Sequence, residues 1–429
     1  MDITEAINKS LFFFGAGASW DAKCKLSLDM LADLKKRISS KDDETFNKPE
    51  KEALKFLLSC LEYHSEWRTL ETSENFKFTP NIEELALLIR RVKNRENFLP
   101  YPITGNWADK LTILESEFNS LPESEKFGNS LFSSLDKKIK SKLLREWLEP
   151  KDYNFLSTLK EFFQGYPNDN FRMDIFSLNN DMVIENYFTE NHNKPWRGFV
   201  SGAWTGFGEE DIPNDFGRIN LYKLHGSLDW VRLDSGDFKE EDNLNEQEKT
   251  HHIDEEHSPY LIFGQGTKTF SVEPFFTLIQ HLRKKLNDKS YFFIIGYSFF
   301  DPYINNLLID AVKGTSKKLI IINPIFGPEQ LKTETDKGKH LVTKDTFLRI
   351  SYPEGVSDKN LASYIEDIQK NSFYSELPEF NIKQINAESL EFLPIGTSQF
   401  LNTYFKNGAD NFIKLITEYE GKRAEEHPF

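Results

Sequence analysis

The stretch Ser10-Leu11-Phe12-Phe13-Phe14-Gly15-Ala16-Gly17-Ala18-Ser19 decides the fold. Leu11 to Phe14 read as a strand buried on both faces, the pattern of a parallel sheet. Gly-Ala-Gly-Ala-Ser follows at once, and an apolar helical period then runs through Leu28, Leu31, Leu34 and Ile38. Strand, glycine turn and helix open a nucleotide-binding βαβ unit. The turn lacks the third glycine of G-x-G-x-x-G, and no acidic residue closes a second strand about 20 residues on, which disfavours a hydride-transferring oxidoreductase. No Gly-Lys-Ser/Thr follows, so a P-loop is excluded here.

Four further apolar runs end in a small or polar cluster. Residues 174–178 lead to Asn179-Asn180-Asp181, and 219–224 to His225-Gly226-Ser227. Residues 291–295 lead to Gly296-Tyr297-Ser298, and 319–322 to Asn323-Pro324. Helical periods follow at Met182, Val183, Tyr187 and Phe188, and at Ile304, Leu307, Leu308 and Ala311. Ligands of an open parallel sheet bind outside the carboxyl ends of its strands. If the five runs share one sheet, the five clusters face one crevice, and a glycine turn there suits a phosphate-bearing, nucleotide-like ligand.

Between the first helix and the second cluster the composition changes. Residues 39–150 are highly charged, with apolar residues at helical spacing, and read as a helical insertion. Its clearest helix spans 82–92, with Ile82, Leu85, Leu88, Ile89 and Val92 on one stripe and Asn81 and Glu84 placed as a capping box. The polar stretch 234–258 reads as a long solvated loop, and the aromatic-rich C-terminal part as an additional small region. The expected plan is α/β. Residues 1–40 and 170–345 form a Rossmann-like parallel-sheet domain, 41–169 the insertion, and 346–429 a C-terminal region for oligomerisation or partner contact.

The 429 residues carry 53 Lys+Arg against 68 Asp+Glu, a formal net charge of −15. That balance argues against a surface that grips nucleic acid or anionic lipid, so no direct nucleic-acid binding is expected. At 38% hydrophobic and 14% aromatic residues, with 38 Phe, the chain is rich enough in apolar groups to fold. Two cysteines, Cys24 and Cys60, supply neither a disulfide framework nor a four-cysteine zinc site. His251, His252 and His257 lie among acidic residues, but polar loops collect such residues without binding anything, and no metal site is expected. The apolar run 11–14 is too short for the core of a signal peptide, and no run approaches the ~18 apolar residues of a membrane span. A cytoplasmic protein free of the membrane is the expectation.

Taken in order, GAGAS at 15–19, SLNND at 177–181, KLHGS at 223–227, GYS at 296–298 and IIINP at 320–324 resemble the sirtuin superfamily. More closely, they are similar to the bacterial sirtuin-like branch of anti-phage defence systems. The resemblance covers roughly 1–40 and 170–330 and implies NAD as substrate. It places Gly15, Ala16, Gly17 and Ser19 at the pyrophosphate. Asn179 matches the catalytic asparagine at the nicotinamide-side ribose, Asp181 the acidic member of its motif, and His225 the catalytic histidine. Gly226 and Ser227 accompany His225 at the cofactor. Gly296 and Ser298 fall on the adenosine side, and Asn323 at the adenine ribose.

The chain departs from that branch at Leu178 and Asn180, where Thr and Tyr are common. It also departs from protein deacylases. Lys25-Leu26-Ser27 stands where they carry G-I-P-x-F-R, and the four cysteines of their zinc ribbon are missing, so no zinc is expected. Simple NAD cleavage needs only the crevice. The resemblance therefore implies an NAD hydrolase that depletes NAD in defence, releasing nicotinamide and ADP-ribose, with cyclic ADP-ribose as a variant product. The alternatives are an NAD-dependent protein deacylase and a non-catalytic module binding NAD or ADP-ribose. On residue type alone His225 reads as a core histidine and Asn179-Asn180-Asp181 as a helix cap. Stand-alone chains of the branch are often paired with a separate HerA-like ATPase. With no obvious sensor beyond about residue 345, a homo-oligomer controlled by such a partner is expected.

Overall fold

Six runs become one parallel sheet: β1 Ser10–Phe14, β2 Met173–Ser177, β3 Ile219–Lys223, β4 Tyr291–Ile295, β5 Lys318–Ile322 and β6 Leu390–Leu393. The computed structural model describes residues 1–72, 76–77, 80–94, 108–208, 216–251, 259–263, 272–297, 299, 301–323, 342–343, 389–393 and 395–426. The strand order is β6-β5-β4-β1-β2-β3, so the winding reverses between β1 and β4. This is the switch point of a doubly wound α/β fold. Register pairs Phe14 with Ser177 and with Ile295, Ser177 with Lys223, and Ile295 with Ile322. Gly15, Leu178, Leu224, Gly296 and Asn323 therefore leave the sheet along one edge.

Every residue of β1 to β4 is buried, which requires cover on both faces. Side chains alternate accordingly. Phe12 and Phe14 join one core with Ile175 and Phe293, whereas Leu11 and Phe13 join a second with Phe176 and Ile294. The first core is completed by insertion residues such as Leu57, Leu85, Ile89 and Leu135, so the insertion is packed onto the sheet. The second is completed by the helices Phe275–Asp288 and Pro302–Val312 and by a small four-stranded antiparallel sheet.

Within the insertion, the helix Ile82–Lys93 begins at the expected capping box. Glu84 N donates to Asn81 Oδ1 at 3.0 Å, and Asn81 N to Glu84 Oε2 at 3.1 Å.

Three sequence expectations are corrected. The glycine turn enters a short 3₁₀ turn, Ala16–Ser19, and the first long helix begins only at Ser27. The stretch 234–251 is a built element: strand Phe238–Glu240 and helix Glu246–His251, with Phe238 and Leu244 buried. Its polar look misleads because Glu240 is buried against Arg197, and the rest of that stretch, 252–258, lies outside the described residues. The C-terminal part is no separate region where it is described. β6 closes the sheet edge, and the helices Thr397–Phe405 and Asp410–Glu426 cover a sheet face. Phe412 packs on Phe293 and Phe12, with ring centroids 5.4 and 6.0 Å apart. The aromatic density there is core. Among the described residues no helix is long and apolar enough to cross a membrane.

Candidate functional site

The turns after β1 and β4 interlock. Gly15 N donates to Ile295 O at 2.9 Å, Gly17 N to Gly296 O at 2.8 Å and Ala18 N to Gly15 O at 2.9 Å. A Cβ on Gly15 would stand 2.4 Å from Tyr297 Cα, and one on Gly17 3.0 Å from Gly296 Cα. Gly296 has φ +63°, and a Cβ there would meet Ala18 N at 2.2 Å. These glycines are demanded by one another, and the three turn amides are already used inside the protein. Toward the crevice the turn presents Gly15 and Ala16, of which Ala16 is exposed.

Behind this turn lies a relay. Asn179 Nδ2 donates to Ser19 Oγ at 3.0 Å, and Ser19 Oγ donates to Asp181 Oδ2 at 2.7 Å. The other oxygen, Asp181 Oδ1, accepts from Val183 N at 3.1 Å at the start of the helix Val183–Glu190. Lys223 donates to the Asp181 carbonyl and pairs with Glu185 at 3.1 Å. The relay uses Asn179 Nδ2 and leaves Asn179 Oδ1 buried with no partner among the described residues, in a residue only 8% exposed. A buried acceptor left unmade costs ~1–3 kcal/mol, so it calls for a donor.

His225 leaves β3 in a loop pinned through its own carbonyl, which accepts from Ile262 N at 2.7 Å and Asn180 Nδ2 at 2.8 Å. Its ring Nε2 lies 3.2 Å from Asp301 Oδ2. Gly226, at φ +79°, is required there because a Cβ would stand 2.3 Å from Tyr260 O.

One cavity of about 150 Å³ brings together Gly15, Ala16, Asn179, Asp181 and His225. Other expected site residues lie elsewhere. The Ser19 hydroxyl is held by Asn179 and Asp181. Ser227 is fully buried and donates to Met182 Sδ at 3.1 Å. Asn323 braces strand ends, its Nδ2 3.4 Å from Tyr297 O and its N–H donating to Leu393 O at 3.2 Å. Ser298 lies outside the described residues.

The sequence reading missed the remaining walls. Lys25, Asn81, Glu83, Glu84 and Leu148 border the cavity from the insertion side, and Asp301 from the helix after β4. Asp301 did leave a signal: Asp followed by Pro before an apolar helical period marks an N-cap with proline at N1. The insertion wall left none, because tertiary packing brings it there. Lys25 pairs with Asp33 at 2.7 Å, and Asp33 also accepts from Arg37 and from Trp147 Nε1. Burial pushes the Asp33 carboxyl up, but these three donors outweigh it and hold it well below the usual carboxylate range. Burial, with Asp181 adding to it, pushes the Cys24 thiol up to about 12, so this cavity residue is no thiolate nucleophile at neutral pH.

Among the described residues no three His, Cys, Asp or Glu side chains could hold a metal ion together. His251 ends the helix Glu246–His251, and His252 and His257 lie outside the described residues.

Fold and site together define the class: a doubly wound α/β protein with a half-polar cavity at its switch point. A family model described as SIR2-like domain matches residues 174–342, so this part of the chain is similar to SIR2-like domains. That segment holds Asn179, Asp181, His225, Gly296 and Asp301, and β1 supplies the glycine turn beside it. A solved chain from "Structural Basis for the Mechanism and Regulation of Sir2 Enzymes" is 11% identical, over 98% of this chain and 97% of that one, at a TM-score of 0.30. No curated protein matches the chain.

Proposed function

We propose that the protein is an NAD hydrolase that cleaves the bond between nicotinamide and ribose. The observation that carries this reading is Asn179 Oδ1, a buried acceptor with no partner among the described residues, in the same cavity as His225. A ribose hydroxyl is a donor of the required kind. A half-open space of about 150 Å³ is the size at which a benzene-sized ring is held, so the reacting end of a dinucleotide suits it better than the whole. The cationic nicotinamide supplies an intrinsically good leaving group. The chain's residues then orient the sugar and manage one proton. Asn179 accepts from a ribose hydroxyl, and the Ser19–Asp181 relay keeps its amide from turning. His225 takes the proton of the attacking water as the water oxygen bonds to the anomeric carbon. The glycosidic electron pair leaves with nicotinamide, and ADP-ribose and a proton complete the balance.

Incubating the purified protein with NAD tests this. Nicotinamide release without any acylated acceptor is expected, and it should be lost in folded Asn179→Ala and His225→Ala. Release that depends on an acylated peptide would make the protein a deacylase. Binding without turnover, even with a partner present, would make it an NAD- or ADP-ribose-binding module. Either result overturns the reading.

The wider proposal rests on the motif resemblance: NAD depletion in the cytoplasm as an anti-phage response, and a homo-oligomer controlled by a separate HerA-like ATPase. Among the described C-terminal aromatics, Phe400, Phe405 and Phe412 are fully buried within the chain and lend assembly no support. A strict monomer that hydrolyses NAD at full rate alone would end the control model while leaving the site assignment intact.

A further inference from the structure

We propose that Asp301 is the positioning residue for His225, fixing the orientation of its ring and the nitrogen that carries its proton. This rests on the reading of His225 as the proton acceptor.

Asp301 has two tasks, one for each oxygen. Oδ1 accepts from Tyr303 N at 2.9 Å and Ile304 N at 3.1 Å, capping the helix Pro302–Val312. A plain cap needs no more than that. Oδ2 is nevertheless turned to His225 Nε2, from a different strand end and 76 residues away in sequence.

Asp301 is braced by Tyr297 and Asn305. The Tyr297 hydroxyl accepts from Asp301 N at 3.2 Å and donates to Asn305 Oδ1 at 2.8 Å. Asn305, fully buried, donates to Phe299 O at 2.7 Å. Phe299 itself sits at φ +58°, a left-handed conformation that a bulky residue adopts only under constraint. An ordinary strand-to-helix turn needs neither the strain nor the buried brace. Here both act to hold one carboxylate against one imidazole at the cavity wall.

The chemistry follows from what each group can donate. An ionised carboxylate only accepts, so the shared proton belongs to Nε2. A neutral imidazole carries a single N–H, which leaves Nδ1 as the acceptor. A base oriented by a third group in this way is a general device of proton-transfer sites.

The test uses the full chain with histidine-selective ¹⁵N labelling, His225→Gln identifying the resonance. In the wild type the neutral form of His225 is expected as the Nε2–H tautomer. Asp301→Asn keeps a capping oxygen but turns an NH₂ toward Nε2, so the proton should move to Nδ1. The kcat for nicotinamide release should then fall about 100-fold or more, the scale of a base held in the wrong tautomer, with KM for NAD little changed. Asp301→Ser also caps the helix but is too short to reach His225. It should give mixed tautomers and a smaller loss of kcat, and it serves should Asp301→Asn fail to fold. A wild-type His225 whose neutral form is Nδ1–H overturns the proposal. So does a tautomer unchanged in the folded variants, whatever their activity. If the wild type releases no nicotinamide at all, the hydrolase reading falls alone, and the tautomer measurements still decide the pairing.

Discussion

At Ser19 one hydroxyl decides how two site residues face the cavity. It accepts from Asn179 and donates to Asp181, so Ser19→Ala leaves two buried polar atoms unmatched. Each such atom costs ~1–3 kcal/mol, and urea unfolding should show a loss of that order, with nicotinamide release reduced more than NAD binding. Unchanged stability and turnover would remove Ser19 from the site. The sequence reading puts Ser19 at the pyrophosphate, whereas its hydroxyl is held between Asn179 and Asp181, because a motif does not say which way a side chain leaves a turn. The glycines carry a parallel lesson. A Cβ on Gly15 meets Tyr297 Cα at 2.4 Å, whereas one on Gly17 meets Gly296 Cα at 3.0 Å. Gly15→Ala should therefore lower the melting temperature more than Gly17→Ala, with overpacking of this kind costing ~1–3 kcal/mol. Equal effects would show that the two turns are not in rigid contact.

The helix Ile82–Lys93 shows what was legible at the scale of an element. Its apolar stripe and its Asn81–Glu84 box are local, and both were read from the sequence. Its role as a cavity wall is not local. It depends on long-range contacts such as Arg90 Nη2 donating to Phe263 O at 3.1 Å, 173 residues away in sequence. Asn81→Ala should cost about 1 kcal/mol through the lost cap, and it should also raise KM for NAD because Asn81 borders the cavity. A stability loss with no change in KM would make this wall a scaffold only. The C-terminal helices failed to declare themselves for a different reason. Their aromatics face a sheet whose strands come from distant parts of the chain, so neither period nor composition separates core from interface. Truncation after residue 388 should expose Phe12 and Phe293 and give an insoluble chain. A soluble, cooperative fragment would show that β6 and its helices are dispensable.

For the molecule as a whole, the sheet edge was readable because parallel strands buried on both faces announce themselves as continuous apolar runs. β6, which includes Glu391, did not, and the buried charges that tie the layers together gave no sequence signal at all. Those charges set the response to acid. At Asp229 burial pushes the carboxyl up, but Arg197 outweighs it and holds it below its ordinary value. At Asp174 burial again opposes, and Lys289 and Lys285, each 3.0 Å away, prevail. Asp33 behaves likewise. A carboxyl lowered in the folded state stabilises it above the unfolded value and loses that contribution as pH falls through the folded one. Glu185 has the opposite sign: burial raises it despite Lys223 and Arg197, so its contribution is present at low pH and lost as pH rises. Glu52 is also lowered, by its hydrogen bond with Lys55, so among the described residues four lowered carboxyls against one raised set the net direction. Stability should begin to fall below about pH 4, where unfolded aspartates start to bind protons, and fall further as the lower folded values are crossed. Melting curves taken from pH 6 down to pH 3 check this. Asp33→Asn should be less stable than wild type at neutral pH yet lose less between pH 4 and pH 3. A wild-type melting temperature that stays level over that last interval would mean these ion pairs contribute nothing net to the fold.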